Sequence, residues 1–171
     1  MVNLIKTLLS DANHSYVSAK ERTWLLAFET HMEQLGFEKI LIGDFDRWGN
    51  DTVAFIKPNV KAKTYIVKIS FDGQSVGFRL YCRNVQKHQS YIESAPKHIH
   101  EIFTSDIGNC AHCAVGGSVK TDGSCSHRKA YTIHGTQYAK CDGKVFYVPD
   151  FSRYPVEDLV SLIRQIYPQK G

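Results

Sequence analysis

Hydrophobic positions in the first third of the chain repeat with the period of an α-helix. The repeating positions lie three or four residues apart and therefore share one helical face. They are Leu25, Phe28, Met32 and Leu35. Ser18 and Glu21 precede them with the spacing of a capping box, in which each residue satisfies a backbone N–H of the other. Gly36 is suited to the left-handed position that ends a helix. The pattern predicts a helix that starts after Ser18 and ends near Leu35.

A period of two replaces the helical period after Gly36. Short apolar runs at 39–43 and 51–57 predict two strands. The clearest alternation covers 64–71 and 76–82, and a turn rich in Asp, Gly and Ser separates these two runs. We predict an antiparallel hairpin with one buried face that carries Tyr65, Val67, Ile69 and Phe71 from its first strand. Cys82 falls on this buried face, so we interpret it as a core thiol rather than as a ligand.

The remaining elements are predicted from apolar positions and turn residues. Residues 85–104 favour a helix in two pieces, broken near Pro96. Residues 129–140 predict a second hairpin with His134-Gly135 at its turn, and 144–148 predict a further strand. After Pro155, acidic residues and a new apolar stripe predict a C-terminal helix.

This order of elements predicts an α+β fold, with an antiparallel sheet flanked by N-terminal, middle and C-terminal helices. A length of 171 residues favours one domain that covers 1–171. A hydrophobic content of 43% excludes a disordered chain. The longest apolar runs are too short for a membrane span, so we expect no membrane partner. The N-terminus lacks a basic region and a long hydrophobic region, which argues against a signal peptide and predicts a cytoplasmic protein.

Four of the five cysteines lie in a subregion that we place at 108–143. In a reducing compartment such a cluster favours metal binding over disulfides. Zinc prefers four tetrahedral thiolate or imidazole ligands. We predict a structural zinc ion bound by Cys110, Cys113, Cys125 and Cys141. The segment that carries the first three has almost no apolar periodicity, and bound zinc would explain how it folds.

Several alternatives remain open at this point. His127 or His112 could replace one of the cysteine ligands. Cys110 and Cys113 form a CxxC pair and could instead act as a thiol/disulfide redox group. No sequence motif of a nucleophilic or metal-dependent hydrolase is present, so a non-catalytic module that binds a small molecule or a protein is favoured, while an enzyme remains undecided.

Two further sites are predicted from charge and aromatic content. The net charge is +4, and the excess lies in the middle of the chain and in the cysteine region. Arg79, Tyr81 and Arg83 alternate along one strand, and with Trp48 they could form a ligand-binding pocket. The basic region 120–140, with Arg128-Lys129-Ala130-Tyr131 and Lys140, could bind nucleic acid through cations interleaved with aromatic rings.

Several short stretches in the second half of the chain carry a resemblance to a known group of sequences. They are 79–87, 91–93, 98–103, 110–113, 131–135 and 140–141, with Cys125 between them. From about Phe78 onward the chain resembles a group of uncharacterised small bacterial proteins, mostly of clostridial type. The resemblance implies a bacterial origin and the same cysteine set, but it implies no activity. This chain departs from the group at His134, where Asp is usual, and in a longer insert at 114–124, which leaves the third ligand open.

Overall fold

The computed structural model describes residues 4–42, 51–58, 64–105, 128–141 and 145–168. These ranges contain helices and an antiparallel sheet, which confirms the predicted α+β class. The helices are α1 (Leu4–Leu9), α2 (Ala19–Gln34), α3 (Gln89–Ser94), α4 (Lys97–Thr104) and α5 (Val156–Ile166). The strands are β1 (Glu38–Ile42), β2 (Asp51–Ile56), β3 (Tyr65–Phe71), β4 (Val76–Tyr81), β5 (Arg128–Ile133), β6 (Thr136–Cys141) and β7 (Val145–Tyr147). Short 3₁₀ turns cover Ala12–His14, Val85–His88 and Phe151–Arg153.

The helix predicted from the first apolar stripe is α2. The Glu21 N–H donates to the Ser18 hydroxyl at 3.2 Å, and the Ser18 N–H donates to the Glu21 carboxylate at 2.9 Å, which completes the capping box. Gly36 ends the helix with a φ of +73°. The break predicted near Pro96 separates α3 from α4, and Pro155 directly precedes α5.

The strands form two sheets. Five strands lie in the order β1-β2-β3-β4-β7 with antiparallel pairing throughout, while β5 and β6 form a separate two-stranded sheet. Helix α2 packs on one face of the larger sheet through aromatic rings. The ring centroid of Phe28 lies 5.5 Å from that of Phe55 and 5.1 Å from that of Phe78. One hydrophobic cluster extends from Ile5 in α1 to Ile163 in α5 and includes Tyr131 of β5.

The predicted alternation fails at the start of β3. A β-bulge near Ile56 shifts the register, so that Ile56 pairs with Tyr65 whereas the neighbouring Phe55 pairs with Val67. The ring of Tyr65 consequently lies 5.9 Å from that of Tyr81. Tyr65 therefore joins the side chains on the face opposite the core, whereas the sequence pattern had placed it in the core.

No helix in the described ranges is both long enough and apolar enough to cross a membrane.

Candidate functional site

The small sheet is a hairpin whose turn requires left-handed backbone. Ile133 pairs with Thr136, so His134 and Gly135 form a two-residue turn, with φ values of +47° and +74°. Positive φ at both central residues is the signature of the type I′ turn, which matches the twist of the flanking strands. The hairpin predicted for 129–140 is thus confirmed, and its register places Arg128 directly opposite Cys141 at the open end.

Side chains of the hairpin fasten it to the C-terminal end of α4. The hydroxyl group of Tyr131 donates to the carbonyl oxygen of Phe103, and the ammonium group of Lys140 donates to the carbonyl oxygen of Ser105. Both Tyr131 and Lys140 are buried, and burial raises the pKa of Tyr131 far above its ordinary value. The chain therefore leaves α4 beside Lys140 and enters β5 opposite Cys141.

Most of the predicted zinc ligands lie outside the described residues. These are Cys110, Cys113 and Cys125, together with the reserve ligands His112 and His127. Cys141 is the last residue of β6. Within the described ranges, no group of three or more His, Cys, Asp or Glu residues could hold a metal ion. The zinc site remains a prediction.

Cys82 follows β4 and is a core thiol, as predicted. Its side chain is a free thiol and is fully buried. Burial raises the pKa of Cys82 to about 11, against a small opposing effect of the Asn84 N–H. A neutral thiol is neither a nucleophile nor a metal ligand. Cys82 therefore takes no part in the candidate chemistry.

Three of the four residues of the predicted ligand pocket lie within the described ranges. Arg79 and Tyr81 lie on the same face of β4, where Arg79 donates to the Ser70 hydroxyl at 3.0 Å. Trp48 lies outside the described residues. Arg83 lies beyond the end of β4, is exposed and lines a depression together with residues of β5. The pocket formed by Arg79, Tyr81, Arg83 and Trp48 stays a prediction.

Arg83 lines a cleft between the end of β4 and the edge of β5, which we call the basic cleft. Its volume is about 260 Å³. Its lining residues are Arg83, Asn84, Val85, Gln86, Lys129, Ala130 and Tyr131. Arg83 and Lys129 belong to two separate sequence predictions, the ligand pocket and the nucleic-acid region. Sequence reasoning missed that they meet, and it missed Asn84 and Gln86 altogether. The only sequence signal for Asn84 was its preference for capping the turn that follows it.

The outer edge of β5 is capped by side chains rather than by another strand. The Thr132 N–H donates to the side-chain oxygen of Gln86 at 3.0 Å, and the His134 N–H donates to the carboxylate of Glu93 at 2.7 Å. Hydrogen bonds from the Gln89 side chain and from His134 lower the pKa of Glu93. These contacts fix the basic cleft at one end of β5, and they cover part of an edge that could otherwise pair with another chain.

A histidine near α5 makes mainly structural contacts. The His98 Nε2 atom lies 3.0 Å from an Asp158 carboxylate oxygen, and the His98 ring stacks on Tyr154 with a centroid distance of 4.2 Å. The cavity beside them has a volume of about 20 Å³, which is room for about one water molecule. This arrangement joins α4 to α5 and leaves no space for a substrate.

Comparison with models of protein families finds no match to this chain, and neither a curated protein nor a solved structure is significantly similar to it.

Proposed function

We propose that the chain is a non-catalytic binding module with a structural zinc ion bound by Cys110, Cys113, Cys125 and Cys141. The observation that carries the proposal is the anchoring of the hairpin. The ammonium group of Lys140 donates to the carbonyl oxygen of Ser105, which directly follows α4. Arg128, where the described chain resumes, pairs with Cys141. Both ends of the segment that contains the other three cysteines are therefore held next to Cys141.

Chain length agrees with this anchoring. Cys125 lies three residues before Arg128 and Cys110 lies five residues after Ser105. An extended chain spans at most ~3.6 Å per residue, so these links reach roughly 11 Å and 18 Å. Thiolates on one zinc ion, at bond lengths of about 2.3 Å, lie within ~4 Å of one another. Cys110 and Cys125 are both within reach of a metal at Cys141.

The donor set suits a structural role. Four thiolates fill the tetrahedral coordination of zinc and leave no position for water or substrate, unlike most catalytic zinc sites. In small zinc domains the metal supplies on the order of 10–16 kcal/mol of folding free energy. Zinc of this kind would fix the segment beside the hairpin. We place the module in the reducing cytoplasm of a bacterial cell, where thiolates persist.

Burial weakens the alternative of nucleic-acid binding by stacking. Tyr131 is only 4% exposed, and its hydroxyl group is engaged by Phe103. Its ring cannot stack on a base, which is how aromatic residues of single-strand binding proteins contribute. Lys129 remains as an exposed cation of this stretch.

The test is a measurement of metal content and of thiol reactivity on tag-free chain purified under reducing conditions. We expect about one zinc ion per chain. Four thiols should react after a strong chelator is added to folded protein, whereas the fifth, that of Cys82, should react only in denaturant. Cys141→Ser should lose the metal, whereas the control Cys82→Ser should retain it.

Two results would overturn the proposal. The first is a metal-free chain whose four cysteines react at once without a chelator. The second is a reversible disulfide between Cys110 and Cys113 with a depressed thiol pKa, which would indicate a redox protein. If His127 or His112 is a ligand, Cys125→Ser will retain zinc, while the corresponding histidine variant loses it.

A further inference from the structure

We propose that the basic cleft binds a small phosphomonoester through Arg83, Lys129 and the backbone N–H of Ala130. None of the described lining residues is a predicted zinc ligand, so the proposal does not depend on the zinc site. Four features of the cleft support it: its charges, its amide side chains, the strand edge and its size.

Both charged groups among the described lining residues of the cleft are cations. Arg83 and Lys129 are exposed, and within the described part of the chain neither forms an ion pair, whereas Lys39, Lys97 and Arg153 all do. No carboxylate is among the lining residues that the structure describes. Two cations that face one depression without a counter-charge attract anions, and an arginine can bind phosphate through two parallel hydrogen bonds.

The cleft also contains two amide side chains, each with an NH₂ donor group. The Gln86 side-chain oxygen already accepts from the Thr132 N–H at 3.0 Å. The Asn84 side-chain oxygen accepts from the Lys87 N–H at 3.3 Å. The NH₂ group of Gln86 already donates to the Gln89 side chain, whereas that of Asn84 forms no hydrogen bond within the described residues and can donate to a ligand. Asn84 therefore adds a donor to the two cations, and phosphate oxygens are acceptors.

The edge of β5 adds a backbone donor. In an antiparallel strand the N–H groups that point away from the partner strand alternate with period two. Those of His134 and Thr132 are bound by Glu93 and Gln86. The next in the series is Ala130, which lines the cleft and has no hydrogen-bond partner outside the hairpin ladder among the described residues.

Size and charge together select the ligand class. A volume of about 260 Å³ exceeds what one phosphate group needs and leaves room for a small attached group. A phosphomonoester carries about −1.5 to −2 charges at neutral pH, which matches the combined charge of Arg83 and Lys129. A phosphodiester in a nucleic acid carries one charge per phosphate, which only one of these cations would neutralise.

The experiment is an NMR titration of ¹⁵N-labelled full-length chain with inorganic phosphate and with phenyl phosphate, against sodium chloride at the same ionic strength. We expect a saturable shift of the Ala130 amide with both phosphates and none with chloride. Arg83→Gln and Lys129→Gln should each raise the Kd by about tenfold or more. The controls Arg164→Gln and Lys20→Gln, at exposed positions elsewhere, should leave the Kd within about a factor of two.

Thermal unfolding of the four variants identifies any variant that fails to fold. Absence of a saturable shift with either phosphate would overturn the proposal, as would equal shifts with chloride. A further titration uses a single-stranded oligonucleotide without a terminal phosphate. If it shifts Ala130 at lower concentration than phenyl phosphate, with affinity that falls steeply with salt, the cleft belongs to a nucleic-acid-binding surface and the monoester proposal is wrong.

Discussion

The ammonium group of Lys39 on β1 donates a 2.7 Å hydrogen bond to the carboxylate of Glu29 on α2, and Glu29 is completely buried. The same carboxylate oxygen accepts from the Ile5 N–H in the first turn of α1 at 3.2 Å. Glu33 is a second partner of Lys39. One buried carboxylate thus joins α1, α2 and β1.

Replacing the cation should expose how much this contact contributes. Lys39→Met leaves Glu29 buried without a counter-charge, and removal of one partner of a buried pair costs about 3–5 kcal/mol. We expect a loss of that size in the free energy of unfolding, measured by urea denaturation. Lys20→Met, at an exposed position of α2, is the control and should change the free energy of unfolding by less than ~0.5 kcal/mol. The double variant Glu29→Gln/Lys39→Met should recover part of the loss, and equal effects of Lys39→Met and Lys20→Met would contradict this account.

The same pair predicts a loss of stability at alkaline pH. Burial by itself lowers the pKa of Lys39, but the hydrogen bonds and negative charges of Glu29 and Glu33 outweigh it, so the folded-state pKa is raised above 10.5. A raised lysine pKa contributes stability that is fully present below the unfolded value of 10.5 and is lost as pH rises through the folded value. Unfolding free energies should therefore fall above this pH. Buried Tyr131 and half-buried Tyr167, whose pKa values are raised by desolvation, add alkaline destabilisation of their own. The Lys39 contribution is therefore the difference between the native chain and Lys39→Met. A constant difference up to the highest pH would count against it.

Cys82 should resist thiol reagents as long as the protein is folded. With a pKa of about 11, only about one thiol in a thousand is ionised at pH 8, and burial blocks access. Iodoacetamide labelling followed by peptide mass spectrometry should find Cys82 unmodified in native protein and fully modified in denaturant. Labelling of native Cys82 at the rate of an exposed thiol would show that this core opens.

The turn of the β5–β6 hairpin gives a purely conformational prediction. A Cβ atom at Gly135 would meet no atom within 4 Å, but its φ is +74°. Gly135→Ala should therefore destabilise the protein by about 1–2 kcal/mol through backbone strain alone. The thermal midpoint should fall by about 2–4 °C per kcal/mol for a chain of this size. The control His134→Asn, a residue that adopts positive φ readily, should be neutral or stabilising, and a neutral Gly135→Ala would refute the turn geometry.

Local signals in the sequence predicted the elements that form by local interactions. The capping box of Ser18 and Glu21 fixed the start of α2, and the His134-Gly135 pair fixed the hairpin turn. Helix α1 was not predicted because the carboxylate that binds its Ile5 N–H is 24 residues away. The place of Glu29 on the buried face of α2 could have been predicted, since it lies four residues after Leu25 on the apolar stripe. Its partner Lys39 could not be predicted, because the two residues meet only when β1 packs beside α2.

The basic cleft shows the same limit for the candidate site. Arg83 and Lys129 were both named from the sequence, for different reasons. That both line one cleft depends on the hydrogen bond between the Thr132 N–H and the Gln86 side chain, which no periodicity predicts. The zinc ligands were predicted from spacing alone, and of these the structure describes only the strand position of Cys141.

The pairing of β7 with β4 has a consequence for how the chain is made. Strands β1 to β4 can associate as soon as they leave the ribosome, but β4 keeps a bare edge until Val145–Tyr147 has been synthesised. A chain that stalls before residue 145 would present a row of unpaired backbone groups, the template on which partly made chains aggregate. Strand β7 therefore covers this edge late in synthesis. Nascent chains halted before and after β7 should differ sharply in solubility.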